Sequence, residues 1–356
     1  MSKHQFTDIR VAIEPDNPSI QRLEFKCIKC GNCKTVCTDY TYDLKATGDK
    51  PICINCGQCA NVCPADSITE KIEAYQVMAE IRDEDKIVIF STSPSVRIAL
   101  GEEFGMPDGS FVEGKMVALL RRLGADYVLD TNFAADMTIV EEASELLQRI
   151  TEGNKPLPQF TSCCPAWVKF AETYYPEMLP HISSAKSPIG MQGPTIKTYF
   201  AKKMGIDPRK IVNVAVTPCT AKKFEIRRGE MNAAGRYLGI EDMRDMDYVI
   251  TTRELAMLAK DEDIDFAALE DFLANVTYDE SQALFSATPA ALWKRQSVRL
   301  TATQPARMHR RLCTICSLCA VWTASARRKL ILKALKLKWL LKLKWLLFTA
   351  LPTPAN

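Results

Sequence analysis

Hydrophobic and polar positions change in blocks along the middle of the chain. KIVIF (86–90) is a short apolar run of the length of a buried strand, and MVALLRRLG carries apolar residues at helical spacing up to Gly124. YVLD reads as a second strand, MTIVEEASELLQRI as an amphipathic helix, IVNVAV (211–216) as another buried strand, and DYVITTRELAMLAK as a strand leading into a helix. Strands alternating with helices predict an α/β domain with a largely parallel sheet over residues 84–288. Before Cys27 the chain is a polar, extended lead. From Cys27 to about Glu70 it is punctuated by Gly and Pro, with little room for a conventional core. The body contains no charge-free apolar run of about 18 residues, so no membrane span is expected.

Length and composition narrow the class. At 356 residues, 47% of them hydrophobic, the chain can bury a core and is not wholly disordered. Its net charge of +3 hides an asymmetry: residues 289–356 hold 14 basic and no acidic residues, leaving 32 basic against 43 acidic, a net of −11, in residues 1–288. An acidic body thus precedes an anomalous basic tail. Neither nucleic acid nor a membrane is expected as a partner. Three histidines, His4, His181 and His309, leave little for a His-rich metal site or a His-centred triad. The opening MSKHQFTDIRVAIEPDN lacks the apolar core of a secretory signal, which predicts a reducing, cytoplasmic setting for the thiols.

The cysteines carry the chemistry. Eight of fourteen fall between Cys27 and Cys63, as FKCIKCGNCKTVC and PICINCGQCANVCP. Each run has the C-x2-C-x2-C-x3-C spacing, in which three thiolates wrap one corner of a cubane and the fourth reaches the neighbouring cluster. This assigns Cys27, Cys30, Cys33 and Cys63 to one 4Fe-4S cluster, and Cys53, Cys56, Cys59 and Cys37 to the other. A zinc site would want two separated pairs, and a disulfide framework an oxidising compartment. Residues 1–75 resemble bacterial two-cluster ferredoxins.

Two further patterns are decoys. GSFVEGKM (109–116) matches a phosphate loop, but Met116 stands where a magnesium-binding hydroxyl is required, so an ordinary loop before a helix is expected. Cys313, Cys316 and Cys319 in RLCTICSLCAVW look like a third ferredoxin run but lack a fourth ligand. Three cysteines remain in QFTSCCPAWVKF (Cys163, Cys164) and VAVTPCTAKKFEIRR (Cys219). They could be buried packing residues. Against that, each motif places its cysteine beside a proline in a loop, the second directly after a strand, with Lys222 and Glu225 following at helical spacing.

At these residues the chain resembles the iron-only (FeFe type) hydrogenases. TSCCPAW and TPCTAKKFE match two active-site motifs of the family, and TSPSVRIALGEEFG (92–105), DTNFAADMTIVEEASEL and SSAKSP (183–188) are similar to further family segments. The resemblance covers residues 20 to about 288. It implies an α+β ferredoxin-like two-cluster domain followed by an α/β hydrogenase domain, with reversible H2 oxidation and proton reduction coupled to a ferredoxin or an NAD(P)-linked redox subunit. It also implies an H-cluster, a 4Fe-4S unit sharing one cysteine with a two-iron subsite. Carried over residue by residue, Cys164 and Cys219 are ligands of that cluster and Cys163 is the thiol facing the subsite. Lys222, Pro94 and Ser95 line its pocket, and Glu142, Glu145 and Ser183 relay protons to solvent. Without the resemblance, Glu142 and Glu145 read first as an exposed charged helix face and Lys222 as a surface lysine. Ile189 departs from the pattern, because the family commonly has a Gln donor there.

The third cysteine motif of the family, which supplies two more cluster ligands, is absent. Shifting the reading frame near Thr288 turns PAALWKRQSVRLT into GGVMEAAVRTAY and KLKWLLFTALPTPA into EVEVAVVYGTANA, both similar to the family's continuation. Residues 289–356 are therefore expected to be out of frame, and the literal chain to be inactive in hydrogen turnover. A Leu-, Trp- and Lys-rich interfacial helix is the rival reading of the tail, weakened because its lysines do not share one helical face. A non-catalytic electron-transfer or hydrogen-sensing subunit is the alternative function.

Overall fold

The computed structural model describes residues 10–41 and 52–272, all within a unit that extends to Pro289. The expectations for the basic tail, including Cys313, Cys316 and Cys319, lie outside the described residues.

The N-terminal segment is short elements around cysteines. Strand β1 (Ile20–Arg22) pairs antiparallel with β2 (Ile68–Glu70), Ile20 opposite Glu70. Between them lie helices α1 (Asn32–Thr41) and α2 (Gln58–Asn61). The core of this segment is small, as the sequence predicts: Val11, Ile20 and Ile68 pack against Cys33 and Cys59, so the thiols take the place of aliphatic side chains. The lead before Cys27 is not uniformly extended, since Glu24–Lys26 forms a 3-10 turn.

A four-stranded parallel sheet follows, with β3 (Ile87–Thr92), β4 (Tyr127–Asp130), β5 (Ile211–Val216) and β6 (Tyr248–Ile250) in the order β4-β3-β5-β6. Every residue of β5 is buried, which is why IVNVAV shows no alternation: both faces are covered. Helix α3 (Ala74–Ile81) leads into the sheet, the short α4 (Val96–Ala99) follows β3, and α5 (Glu113–Leu123) crosses to β4. Helix α5 ends where Gly124 adopts φ 108°, a left-handed cap that only glycine takes without strain. The phosphate-loop decoy supplies the loop and first turns of α5, as expected. The amphipathic helix α6 (Asn132–Glu152) begins five residues earlier than its apolar period indicates.

Helices α7 (Pro165–Tyr174) and α8 (Pro188–Thr195) each start with proline at the first turn, where its missing N–H costs nothing. A π-helical turn, Ile196–Phe200, joins α8 to α9 (Ala201–Met204). After β5 come α10 (Ala221–Glu225), α11 (Ala233–Leu238) and, beyond β6, α12 (Thr252–Asp261), which opens with a capping box between Thr251 and Glu254. Val88, Phe90, Val212 and Val214 pack on one face of the sheet with residues of α3, α5 and α12, while Ile89 and Ile211 pack with Ile196 and Phe200 on the other. Among the described residues no helix is long and apolar enough to cross a membrane.

Candidate functional site

In the N-terminal segment the structure sorts the eight cysteines into two recesses. Cys27, Cys30, Cys33 and Cys63 line one, and Cys37, Cys53, Cys56 and Cys59 line another. Each recess takes three cysteines from one run and one from the other. No described group of side chains is arranged for a single metal ion. Burial pushes the Cys59 thiol up to about 12, and the neighbouring Cys53, Cys56, Cys37 and Cys33 push the same way. Burial likewise raises Cys53 and Cys56. Thiols crowded in this manner cannot all ionise alone; a cationic cluster supplies the missing countercharge, so the donor set fits iron-sulfur units. Backbone N–H groups already point at sulfur: Val11 to Cys33 at 3.4 Å, Asn55 to Cys53 at 3.3 Å, Ser67 to Cys63 at 3.3 Å. At Cys63 burial alone would raise the thiol, but the N–H groups of Ile68, Ala65 and Ser67 lower it.

The second site lies at the carboxyl ends of β3 and β5. The connection from β3 runs outward to β4 and that from β5 outward to β6, which opens a crevice between these two strands. Loop Ser93–Ser95 leaves β3 there, held by Ser93 N–H to Val216 O at 2.9 Å, and Thr217–Cys219 leaves β5 beside it. Pro94 and Ser95 are exposed. Cys164 is the N-cap of α7, its sulfur accepting from Trp167 N–H at 3.5 Å. Cys219 is half-buried; burial raises its thiol, opposed by the N–H groups of Ala221 and Lys222 and the Lys222 charge, while Cys164 is close enough to raise it further.

Lys222 is buried, not a surface lysine. Its Nζ donates to Glu225 Oε2 at 2.7 Å and to Cys163 O at 2.8 Å, so it links the two motifs through the backbone of one and a neighbouring carboxylate. The two charges flanking Cys219 in sequence are therefore largely spent on each other. Cys163 itself is exposed, its sulfur 4.0 Å from Thr161 Oγ1.

Glu142 and Glu145 share one helix, α6. Glu142 Oε1 accepts from the N–H of Ser162, next to Cys163, at 3.4 Å. Glu145 Oε2 accepts from Ser183 Oγ at 3.3 Å and from Ser184. Burial would raise Glu145, but Lys155, Arg149 and Ser184 hold it down at about 2. Arg149 is buried and also donates to the carbonyls of Pro156, Pro180 and Ile182, so it braces the loops around the carboxylate. Arg149 and Lys155 are not among the sequence candidates. The i, i+4 spacing from Glu145 is the one sequence signal for Arg149, and Lys155, ten positions from Glu145, has none.

The two sites meet. Asn55, wholly buried in the second cysteine run, accepts from Lys169 Nζ on its side chain and from Thr220 Oγ1 on its carbonyl, each at 2.9 Å. Tyr174 hydrogen-bonds the backbone of Ile52 at 3.2 Å. Thus α7, which starts at Cys164, and the residue after Cys219 both grip the loop of Cys53 and Cys56. Cys219 and Cys56 lie close enough for the charge of one thiol to raise the other.

Residues 86–298 match the family model "Iron only hydrogenase large subunit, C-terminal domain". The chain belongs to that family. Residues 48–69 match the 4Fe-4S binding domain. Iron hydrogenase 1 of Clostridium pasteurianum is 46% identical over 283 residues, covering 74% of this chain and 48% of that protein, so the chain spans about half the length of the relative. A cytosolic Fe-S cluster assembly factor of Danio rerio, narfl, is 34% identical over 221 residues, covering 58% of this chain and 52% of the relative. Apo [FeFe]-hydrogenase HydA1 from Chlamydomonas reinhardtii, variant C377H, superposes with a TM-score of 0.52 at 40% identity, covering 58% of this chain and 51% of that one. The α/β sheet predicted from the strand pattern is thus that of the iron-only hydrogenases.

Proposed function

We propose that this member of the family is an iron-sulfur oxidoreductase of the hydrogenase type, in which residues 1–75 form a two-cluster ferredoxin domain and residues 84–288 the first part of a hydrogenase domain. The observation that carries this reading is the partition of eight cysteines into two recesses, one of them tied through Asn55 and Thr220 to the loop of Cys219. Each quartet would hold one 4Fe-4S cluster, which exchanges single electrons when bound. The chain's own part is to bury the sulfurs, direct N–H groups at them and fix the second quartet beside Cys219.

At the hydrogenase site the described residues offer Cys164 and Cys219, two of the four thiolates that the H-cluster takes. That donor set does not complete the cluster. Glu142, which reaches the amide beside Cys163, and Glu145, which gathers the hydroxyls of Ser183 and Ser184, line the route of protons to solvent in this reading. In this reading the substrates are H2 and protons, the electron partner is a ferredoxin or an NAD(P)-linked subunit, and the setting is cytoplasmic. The literal chain is inactive in hydrogen turnover because residues 289–356 are out of frame.

A second reading is a non-catalytic iron-sulfur subunit. The half-complete donor set favours it, and a relative named as a cluster assembly factor fits the same chain. The experiment is anaerobic maturation followed by hydrogen evolution with reduced viologen, on the literal chain and on a frame-restored one. Turnover in the restored chain alone supports the first reading; two silent chains that both carry about eight irons support the second.

A further inference from the structure

The two cysteine runs are copies of one loop, and their differences indicate what each faces. Aligned on cysteines, Ile52, Asn55 and Ala60 of the second copy correspond to Lys26, Lys29 and Lys34 of the first. The copies match in backbone as well: Lys29 and Asn55 both adopt positive φ, 55° and 65°, and so do Gly31 and Gly57, 83° and 77°. In the second copy two of these positions are tied to the chain's own body, Ile52, 37% exposed, through its backbone by Tyr174 and the buried Asn55 by Lys169 and Thr220.

The first copy turns the same positions outward. Lys26, Lys29 and Cys30 are exposed, and beside them Phe25 and Ile28 are 83% and 65% exposed. Arg10, Arg22 and Lys29 line the recess of the first quartet. Against these cations stand Glu24, engaged by Arg10 at 2.6 Å, and Asp66. The surroundings of the first quartet are therefore basic on a body whose net charge is −11 over residues 1–288.

Resting on the two-cluster reading above, we infer that the face made by Phe25, Lys26, Ile28 and Lys29 is the docking surface for an acidic one-electron carrier protein. The exposed apolar pair provides the contact that excludes water, and the lysines select the sign of the partner. Within residues 1–288, whose net charge is −11, such a basic face stands out against acidic surroundings, and reversal of its lysines separates its pull from that of the basic residues 289–356. Cys27, Cys30, Cys33 and Cys63 would hold the cluster that takes the electron: the carrier would be oxidised by one and that cluster reduced by one. No bond forms and no proton moves. Asn55 and Gly57 of the second loop are buried against Thr220, leaving the first loop as the more outward of the two.

The test takes the iron-loaded full chain and a reduced acidic two-iron ferredoxin as probe, with cluster bleaching followed by stopped flow. The rate should fall about tenfold or more from about 0.05 to about 0.5 M salt, and Lys26→Glu with Lys29→Glu should lower it about tenfold at low salt. Lys202→Glu with Lys203→Glu, exposed on the body, should leave it within about twofold. Dithionite should bleach parent and variants equally, with about eight irons in each. Failure of iron loading or of dithionite bleaching in the parent overturns the cluster reading itself. Normal dithionite bleaching, with a ferredoxin rate indifferent to salt and to Lys26 and Lys29 reversal, overturns the docking face alone. A loss confined to the Lys202 and Lys203 variant does the same.

Discussion

Gly57→Ala tests the joint between the second cysteine quartet and the Cys219 loop. Gly57 sits at φ 77°, and a Cβ there would lie 2.7 Å from Thr220 Oγ1 and 3.3 Å from its Cγ2. Placing alanine in the left-handed region costs about 1–2 kcal/mol, and overpacking against a fixed neighbour about 1–3 kcal/mol more. The sum, about 3 kcal/mol, corresponds to about 4 °C in the melting midpoint of a chain of 356 residues, whose unfolding entropy is about 2.1 cal/mol/K per residue. Thr220→Ala removes the two clashing atoms and leaves Cβ at 3.5 Å, an ordinary contact, while costing about 1 kcal/mol for the lost hydrogen bond to Asn55. In that background Gly57→Ala should cost only the backbone strain, so the pair should couple by about 1–3 kcal/mol. The assay is anaerobic thermal unfolding of the four iron-loaded chains, read by intrinsic fluorescence and by loss of cluster absorbance. Equal cost of Gly57→Ala in both backgrounds, to within about 0.5 kcal/mol, would refute the close approach on which the joint depends.

Lys223→Met should be nearly as costly, about 3 kcal/mol in thermal unfolding. It strips the ammonium from Glu254 at 2.6 Å in a site where both side chains are buried, leaving only two N–H groups on the carboxylate. Adding Glu254→Gln should recover part of the loss, since it removes the charge but sets an NH2 against one of those two N–H donors, and no recovery would count against a buried-charge origin. Glu145, held at about 2, contributes stability that is complete above its ordinary value of 4.5 and is lost as the pH falls toward 2. The melting difference between the parent chain and Glu145→Gln should therefore shrink between about pH 5 and pH 3, and a constant difference would exclude that carboxylate as its source. A frame-restored chain should evolve hydrogen with reduced viologen where the literal chain does not; comparable activity in the two would overturn the ligand count at Cys164 and Cys219.

Local signals in the sequence were enough for the sheet. YVLD and IVNVAV are strands at the predicted residues, and α5 stops at Gly124, because a buried parallel strand needs a continuous apolar run and a helix end needs a left-handed residue. Cysteine spacing likewise determined which thiols could share a recess, since three sulfurs two residues apart must wrap one side of it. What depended on contacts between distant segments was decided only by the tertiary structure. Asn55 reads as a polar loop residue until Lys169 and Thr220, 114 and 165 positions away, close on it. Lys222 reads as a surface lysine until burial against Cys163 O and Glu225 gives it partners. Arg149 carries no motif, yet it braces three carbonyls and lowers Glu145 because α6 packs where those loops return. Hydrogen-bond partners far apart in the chain leave no period or spacing in the sequence; they exist only once the apolar faces have fixed how the elements pack.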